Sequence, residues 1–232
     1  MARLARLSIP NELHHVVQLG HNREPVFKDD EDRTLYLATL RDQAHEHGVR
    51  VHGYTLLDSS VELLITPADP QALARLMQGL GRRYVAAFNR RHGRSGTLWA
   101  GRYRASLLEA ERYLVPALVY LGWRAVEQGL ATEAHLWPWA SVGHHLGAKR
   151  DPLVNDHAEY WRLGNTPFDR ELAFRLALDG GLSASEASTI RLAAIGSRPL
   201  GGASFLSRLG EVTNRPLVRR PRGRPRKLSV PI

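Results

Sequence analysis

The 232-residue sequence predicts an α+β fold built on an antiparallel sheet that carries helices on one face. Three observations predict this fold class, the small helical module that follows it and the basic tail. Short segments rich in apolar and β-branched residues alternate with longer segments that have the start and stop residues of helices. The chain after Trp161 changes to short helical segments, and its last residues are rich in proline and arginine.

Four segments predict the strands of the sheet, because each has the residue types and the apolar pattern that strands favour. They lie at 12–19, 49–57, 60–66 and 97–107. The short turn "DSS" joins the second strand to the third, so these two strands should form a hairpin.

Three longer segments predict helices. Residues 29–47 begin with acidic residues and end before a glycine, which complements the helix dipole and supplies a C-terminal cap. Residues 70–92 begin near a proline and also end before a glycine. The third helix covers residues 109–129, where Pro116 can introduce a kink.

The order of these elements, β-α-β-β-α-β followed by a helix, is that of the ferredoxin-like fold. The first two helices should then cover one face of the sheet. We divide the chain into a ferredoxin-like domain at 1–130, an aromatic connector at 131–160, a small helical module at 161–214 and a basic tail at 215–232. The fold alone predicts no function, because it carries many unrelated ones.

The composition excludes several kinds of site. The chain has no cysteine, so it has neither a disulfide framework nor a thiolate metal site. No apolar run is long enough to span a membrane, and arginines interrupt the apolar residues of "MARLARLSIPNELHH" at the N-terminus. We therefore expect a cytoplasmic protein with no membrane partner.

The formal net charge of +9 is concentrated in two acid-free blocks, one between Asp69 and Glu109 and one after Glu211. A single block of this kind can be a solvated basic face, but two blocks in one chain favour a polyanionic partner. We therefore expect DNA as the partner and a nucleoid-associated location. The candidate DNA contacts of the first block are Arg82, Arg83, Arg90, Arg91, Arg94, Arg102 and Arg104.

The second block contains "RPRGRPRK" (220–227), which resembles an AT-hook. Glycine and proline keep such a backbone slim and extended, so flanking arginines can enter a narrow A·T minor groove. The alternative is a basic tail that contacts phosphates without reading sequence. We expect residues 216–232 to be extended or disordered without DNA. The candidate contacts are Arg222, Gly223, Arg224, Pro225, Arg226 and Lys227.

Aromatic residues accompany the first block at Tyr84, Phe88, Trp99 and Tyr103. Exposed aromatic rings can stack on unpaired bases. Tyr84 and Phe88 lie at helical spacing, which instead favours a place in the core.

Five stretches together resemble the REP-associated branch of the single-tyrosine HUH transposases. They are "HHVVQLGHNREPVF", "FNRRHGRSGTLWAGRYRA", "YLVPALVYLGW", "WPWASV" and the closing "GRPRK". The resemblance covers nearly the whole chain. It implies a ferredoxin-like HUH domain that recognises a DNA hairpin and cuts single strands. It also implies a tyrosine nucleophile on the helix after the fourth strand and a divalent ion held by a His-hydrophobe-His pair, with a third polar ligand one turn beyond the tyrosine.

Transferred to this chain, the resemblance places the nucleophile at Tyr120 and the two histidine positions at Ser60 and Glu62. The third ligand position, usually an asparagine, is Arg124, which lies on the Tyr120 face of the helix. Ser60 and Glu62 lie two residues apart, so both side chains point to the same face of the third strand. Tyr120 could also be a tyrosine that only packs between the helix and the sheet.

All three ligand positions are substituted. A hydroxyl, one carboxylate and a guanidinium replace two imidazoles and an amide poorly, since a guanidinium offers no lone pair and repels a cation. We therefore expect no metal and no other cofactor, and a DNA-binding protein that recognises hairpin or single-stranded DNA and has lost metal-dependent nicking. Its oligomeric state, monomer or homodimer, stays open.

The alternative is an active transposase or nickase that forms a phosphotyrosine link through Tyr120, with Glu62 holding Mg²⁺ or Mn²⁺ and Arg124 stabilising phosphate charge. A decayed protein without function is a third alternative. A buried carboxylate needs a partner, so we predict a Glu62–Arg124 ion pair with Ser60 and the Tyr120 hydroxyl close by.

Four histidines occur as two adjacent pairs. His14 and His15 should lie on opposite faces of the first strand, so we do not expect them to share an ion. His144 and His145 are expected to be surface residues.

Overall fold

The computed structural model describes residues 7–214 and residue 217. Its centre is one four-stranded sheet in the order β2-β3-β1-β4, and every neighbouring pair is antiparallel. The α+β class and the antiparallel sheet are therefore confirmed. The strands are β1 (Leu13–Leu19), β2 (Val49–Leu57), β3 (Ser60–Pro67) and β4 (Arg104–Leu108).

The predicted start of the fourth strand is wrong by seven residues. β4 begins at Arg104, and the residues from 97 to 103 form a loop with one isolated bridge between Gly20 and Trp99. Gly96 and Gly101 both have a positive φ, which an extended strand does not allow. The predicted strand therefore joined a loop to the short strand that follows it.

The helices agree closely with the prediction in the first half of the chain. The three long ones are α1 (Asp30–Glu46), α2 (Ala72–Arg91) and α3 (Ala110–Glu127). α3 continues through Pro116 without a break. Five further helices are α4 (Val142–His145), α5 (Ala158–Trp161), α6 (Pro167–Gly180), α7 (Ala184–Gly196) and α8 (Ala203–Thr213).

Both faces of the sheet are covered by helices. α1 and α2 pack on one face as predicted, where Tyr36 and Leu40 share a buried cluster with Leu63 and Ile65 of β3. The third helix packs on the opposite face, where Leu64 lies in a second cluster with α3. The expectation that helices lie on one face is therefore incomplete, because alternation along β3 gives each face its own core.

The C-terminal half of the chain packs on this framework. Trp137 Nε1 donates to the Leu56 carbonyl oxygen at 2.9 Å, which anchors the connector to β2. Phe174 and Leu178 of α6 are buried with α3, and Phe205 of α8 packs in a third cluster. The four-part division of the chain stays a prediction.

Two expectations about single residues have different outcomes. Tyr84 and Phe88 are buried in the core as predicted. His145 is buried, so the expectation of a surface residue is wrong: its Nδ1 lies 3.2 Å from the Ser141 carbonyl oxygen, and its ring packs against Tyr160 and Phe174.

The predicted tail contacts from Arg222 to Lys227 lie outside the described residues. Within the described part, no helix combines the length and the hydropathy that crossing a membrane would require.

Candidate functional site

The candidate site lies between the sheet and α3. Because side chains alternate along a strand, the residues that share a face with Leu13 in β1 and with Leu64 in β3 point towards α3. His15 and Glu62 are two such residues. Val17 pairs with Glu62 across the two strands, so His15 is the diagonal neighbour of Glu62.

Glu62 is the centre of a buried hydrogen-bonded network. Arg124 Nε donates to Glu62 Oε1 at 2.7 Å, so the predicted ion pair is confirmed. His15 Nε2 donates to the other carboxylate oxygen, Oε2, at 2.8 Å. Arg124 also pairs with Glu127, one turn further along α3. Both oxygens of the carboxylate are therefore used by partners within the chain.

The electrostatics of the network keep Glu62 charged. Burial alone would raise the pKa of the Glu62 carboxyl, but the hydrogen bond and charge of His15, together with Arg124, hold that pKa below its ordinary value. A buried carboxylate is stable only when it is paired in this way.

Tyr120 forms one side of this network. Its ring lies edge-on to His15 with a centroid distance of 5.7 Å, and the guanidinium carbon of Arg124 lies 5.4 Å from the Tyr120 ring centroid. Burial, and then the nearby charge of Glu62, raise the pKa of the Tyr120 phenol well above its ordinary value. Its phenolate is therefore harder to form than that of a free tyrosine.

A cavity of about 340 Å³ adjoins the tyrosine. It lies between α3 and the turn that joins α6 to α7, and Tyr120, Trp123, Glu127 and Asp179 are among the residues that line it. Two of these four side chains are carboxylic acids, so the cavity is not a basic pocket for a phosphate group.

Ser60 takes no visible part in the network. It is buried at the first position of β3, opposite Leu57 of β2 and Leu19 of β1. Among the described residues, the hydrogen bonds of the Glu62 side chain go to His15 and Arg124 alone. The prediction that Ser60 lies close to the ion pair is therefore supported only by their shared strand face.

This set of side chains does not fit a divalent cation. The one carboxylate already accepts two hydrogen bonds, and the third ligand position carries a permanent positive charge. The His15 Nδ1 atom is buried without a hydrogen-bond partner among the described residues, and it could offer a cation only one ligand atom. Mg²⁺ prefers several oxygen ligands, which the described residues do not present here.

His15 is the member of the site that sequence reasoning missed. Alternation correctly separated it from His14, whose ring nitrogens contact the Ile9 amide and the Glu12 carbonyl oxygen. Alternation does not say which face of β1 meets α3. His15 and Glu62 are 47 positions apart in the sequence. No local sequence pattern therefore predicts that β1 pairs with β3.

The first arginine block divides into bound and free side chains. Arg91 pairs with three acids of the α1 start, Asp29, Glu31 and Asp32, at 2.6–2.7 Å. Three other members make weaker or fewer contacts: Arg83 with Glu46, Arg94 with the Phe88 ring and the Thr97 carbonyl oxygen, and Arg104 with the Ile195 carbonyl oxygen. Three members of the block are exposed and make neither an ion pair nor a side-chain hydrogen bond among the described residues: Arg82, Arg90 and Arg102.

The same acids form a second cluster that the sequence pattern did not indicate. Asp29, Asp32 and His92 bring potential ligand atoms within 4.8 Å of one another. Arg91 already binds both carboxylates of this cluster, and its hydrogen bond lowers the pKa of the Asp29 carboxyl to about 2. The cluster therefore joins α1 to the end of α2 through an ion pair.

Comparisons with known proteins find similarity in structure and none in family models or curated sequences. No protein-family model matches the chain, and no curated protein matches it. Among solved structures, the chain is similar to a REP-associated tyrosine transposase bound to a REP hairpin, with a TM-score of 0.53 and 12% identity over 68% of this chain and 93% of that one. A "putative transposase" from Deinococcus radiodurans R1 is 22% identical over 51% of this chain and 95% of that one, with a TM-score of 0.36. The chain thus shares the fold of a REP-associated tyrosine transposase.

Proposed function

We propose that this chain is a DNA-binding protein on a tyrosine-transposase scaffold, which recognises hairpin or single-stranded DNA and has lost metal-dependent nicking. The observation that carries the proposal is the 2.7 Å contact between Arg124 and Glu62. It puts a fixed cation where the resemblance expects a metal ligand.

The case for DNA as the partner rests on charge and fold. The similar structure is of a protein bound to a REP hairpin. This chain carries a net charge of +9, and Arg82, Arg90 and Arg102 are exposed with no ion pair among the described residues. Such side chains can neutralise phosphates and give binding that weakens with salt. Tail residues 222–227 add a proposed contact with A·T-rich duplex.

The case for lost nicking rests on the network at Tyr120. A tyrosine nucleophile needs a lowered pKa or an adjacent base, and burial here raises the pKa of the Tyr120 phenol instead. Glu62 and His15 are the candidate bases in this network, but they are hydrogen-bonded to each other, and Arg124 also holds the Glu62 carboxylate. A scissile phosphate would also meet the carboxylates of Glu127 and Asp179 beside the tyrosine.

One observation favours the alternative, an active nickase with an atypical site. Tyr120 lines a cavity, and Arg124 lies against its ring, so the guanidinium could contact a phosphate beside the phenol. The Arg124 Nε and Nη1 atoms already bind Glu62 and Glu127, so a phosphate would have to use the remaining N–H donors of the guanidinium or displace one of these carboxylates.

Binding and cleavage of one labelled hairpin oligonucleotide separate the two functions. We expect binding to hairpin and single-stranded DNA that falls steeply between two salt concentrations, and no cut strand with Mg²⁺ or Mn²⁺. The control is Tyr120→Phe, which should bind equally well. A cut strand covalently linked to the protein, absent in Tyr120→Phe, would establish the nickase, while affinity that does not respond to salt would contradict the DNA proposal.

The same assay tests the arginines and the tail separately. Replacing Arg82, Arg90 and Arg102 with alanine should reduce the salt slope by about 0.9 for each lost duplex-phosphate contact and about 0.7 for a single-strand contact. The matched control is Arg91→Ala, whose side chain is already held by acids. Deleting residues 216–232 should weaken binding to A·T-rich duplex. Unchanged affinity and salt slope after this deletion would mean that the tail does not touch DNA.

A further inference from the structure

A cavity of about 360 Å³ lies between α1 and the connector. Its apolar wall is formed by Leu37 and Ala38 of α1 and by Pro138 and Trp139 of the connector. The volume falls within the roughly 300–1,000 Å³ that is typical of small-ligand pockets. The cavity beside Tyr120 is lined by other residues, so the two are separate sites.

Three contacts hold Trp139 in a fixed position. Its Nε1 donates to Asp30 Oδ1 at 3.1 Å, and the guanidinium carbon of Arg33 lies 5.8 Å from its ring centroid. Its carbonyl oxygen accepts a hydrogen bond from Leu56 N at 2.9 Å. The ring is still partly exposed and lines the cavity. A fixed aromatic ring can stack on a flat ligand at little cost in side-chain entropy.

The rim of the cavity carries three exposed basic side chains, those of Arg41, Lys149 and Arg150. Arg150 makes neither an ion pair nor a side-chain hydrogen bond among the described residues. Lys149 Nζ donates to the Pro138 carbonyl oxygen at 3.2 Å, which leaves its charge unpaired. Arg41 lies 3.4 Å from its sequence neighbour Asp42, and both side chains are 58% exposed, so this pair is weak. The rim therefore has positive charge available to an anion.

Among the described residues that line the cavity, one is an acid, Asp151. Its Oδ2 accepts a hydrogen bond from the Tyr54 hydroxyl at 2.6 Å, and its Oδ1 accepts one from Leu153 N at 3.0 Å. Both carboxylate oxygens are thus used within the chain, and these bonds fix the segment that carries Lys149 and Arg150. The rim therefore favours an anionic ligand, and the apolar wall favours one with a flat aromatic group.

We propose that this cavity binds one unpaired nucleotide, with its base stacked on Trp139 and its phosphate contacted by Lys149 and Arg150. A nucleotide combines a flat aromatic base with an adjacent negative charge. An acidic peptide would match the charges but not the tryptophan. We place the nucleotide in the single strand or the loop of bound DNA, an assignment that rests on the proposed function.

Fluorescence of 2-aminopurine, a base analogue that is quenched when it stacks on an aromatic ring, tests the stacking. The full-length protein is titrated into a short single strand in which 2-aminopurine alternates with thymine, so that the binding register does not matter. We expect quenching on binding. Trp139→Leu should lose the quenching and weaken binding about tenfold, the size expected for one stacked base.

The matched control is Phe168→Leu, which removes a 70% exposed ring on α6 that does not line the cavity. Circular dichroism must show that Trp139→Leu folds, because Trp139 also packs against the core. A strand that binds without quenching, or equal behaviour of the two variants, would overturn the site and leave DNA binding in place.

The basic rim gives a second test, with substitutions at exposed positions outside the core. Replacing Lys149 and Arg150 together with alanine should lower the salt slope by about 0.7 for each lost contact with the strand. The matched control is Arg175→Ala on α6, an exposed arginine that makes no ion pair among the described residues. Equal slopes in the two variants would show that the rim does not contact the phosphate.

Free 2-aminopurine deoxyriboside 5′-phosphate separates this site from the proposed function. If it binds with quenching that depends on Trp139 while no strand binds, the cavity takes a nucleotide and the DNA proposal is wrong. Deoxyribose 5-phosphate, which lacks the base, should not compete with it. Polyglutamate that competes as well as the nucleotide does would assign the cavity to an acidic peptide and overturn the proposal. Absence of binding by both the strand and the free nucleotide would also overturn it.

Discussion

Arg124 shows how a single side chain can change the chemistry of a site. Its guanidinium holds Glu62 on one side and Glu127 on the other. The resemblance expects a neutral ligand here, and the substitution instead makes the site self-neutralising. The buried carboxylate is therefore stabilised by partners within the chain.

Removing this guanidinium should destabilise the protein strongly. Arg124→Ala leaves Glu62 buried with His15 as its remaining partner, so we expect a loss near the lower end of about 3–5 kcal/mol in the free energy of unfolding. Urea denaturation measures it. The matched control is Arg112→Ala, which removes a 65% exposed arginine from a pair with Glu109 and should cost about 1 kcal/mol or less, because Glu109 keeps its hydrogen bond from Gly202 N. Equal losses in the two variants would show that the Glu62 pair is not buried in solution.

Restoring the expected ligands should restore an ion site. Ser60→His, Glu62→His and Arg124→Asn together remove the cation and supply two imidazoles and an amide. We expect Mn²⁺ binding by calorimetry in the triple variant and none in the unmodified protein. Mn²⁺ bound by the unmodified protein and lost on Glu62→Gln would contradict our account of the site.

Of the two partners of Glu62, Arg124 was predicted from the sequence and His15 was not. The Glu62–Arg124 pair followed from the resemblance, which assigned both residues to one site, and from the cost of a lone buried carboxylate. His15 did not follow, because its contact depends on which strands are neighbours and on their register. Strand order and register are properties of the whole sheet. The sequence around His15 and around Glu62, 47 positions apart, does not predict either of them.

At the scale of elements, glycine positions explain both an error and a packing contact. Gly96 and Gly101 set the loop that the predicted fourth strand wrongly included. In α3, Gly122 lets two neighbours approach: a Cβ at this position would lie 2.8 Å from Val142 Cγ2 and 3.0 Å from Leu178 Cδ1. The apolar pattern predicted α3 itself, but it could not show which of its positions must be glycine.

The same substitution should have opposite effects in two helices. Gly81→Ala in α2 meets no atom within 4 Å and should stabilise the protein by about 0.5–1 kcal/mol through helix propensity. Gly122→Ala gains the same propensity but forces α4 and α6 away from α3, so we expect a net loss of about 1–2 kcal/mol. Thermal unfolding of the two variants compares them. If both are stabilised, the packing against Gly122 is looser than the structure shows.

At the scale of the whole molecule, three buried histidines make stability depend on pH. Burial lowers the pKa of His14, His52 and His145 from 6.5 to about 4 in each case. The folded chain therefore binds these protons more weakly than the unfolded chain does. Stability is fully present above pH 6.5 and is lost as pH falls from 6.5 towards 4.

We expect each of these histidines to remove roughly 2 kcal/mol of stability between pH 7.5 and pH 5. Urea midpoints at the two pH values measure the total. His52→Gln should reduce the pH dependence, because glutamine can replace the contacts with Asn155 and Thr66 without titrating. An unchanged dependence in this variant would show that His52 does not titrate in this range.

Segments of the C-terminal half of the chain also form backbone hydrogen bonds with both outer strands of the sheet, β2 and β4. On β2, Leu56 N donates to the Trp139 carbonyl oxygen at 2.9 Å. The Val51 carbonyl oxygen of the same strand accepts a hydrogen bond from Asn155 N at 2.7 Å. On β4, Leu200 N donates to the Leu107 carbonyl oxygen at 2.8 Å. An uncovered sheet edge is a template for pairing with other chains, so these contacts protect the protein from aggregation. A fragment ending at residue 130 would expose both edges and should form aggregates in light scattering, whereas the full chain stays dispersed.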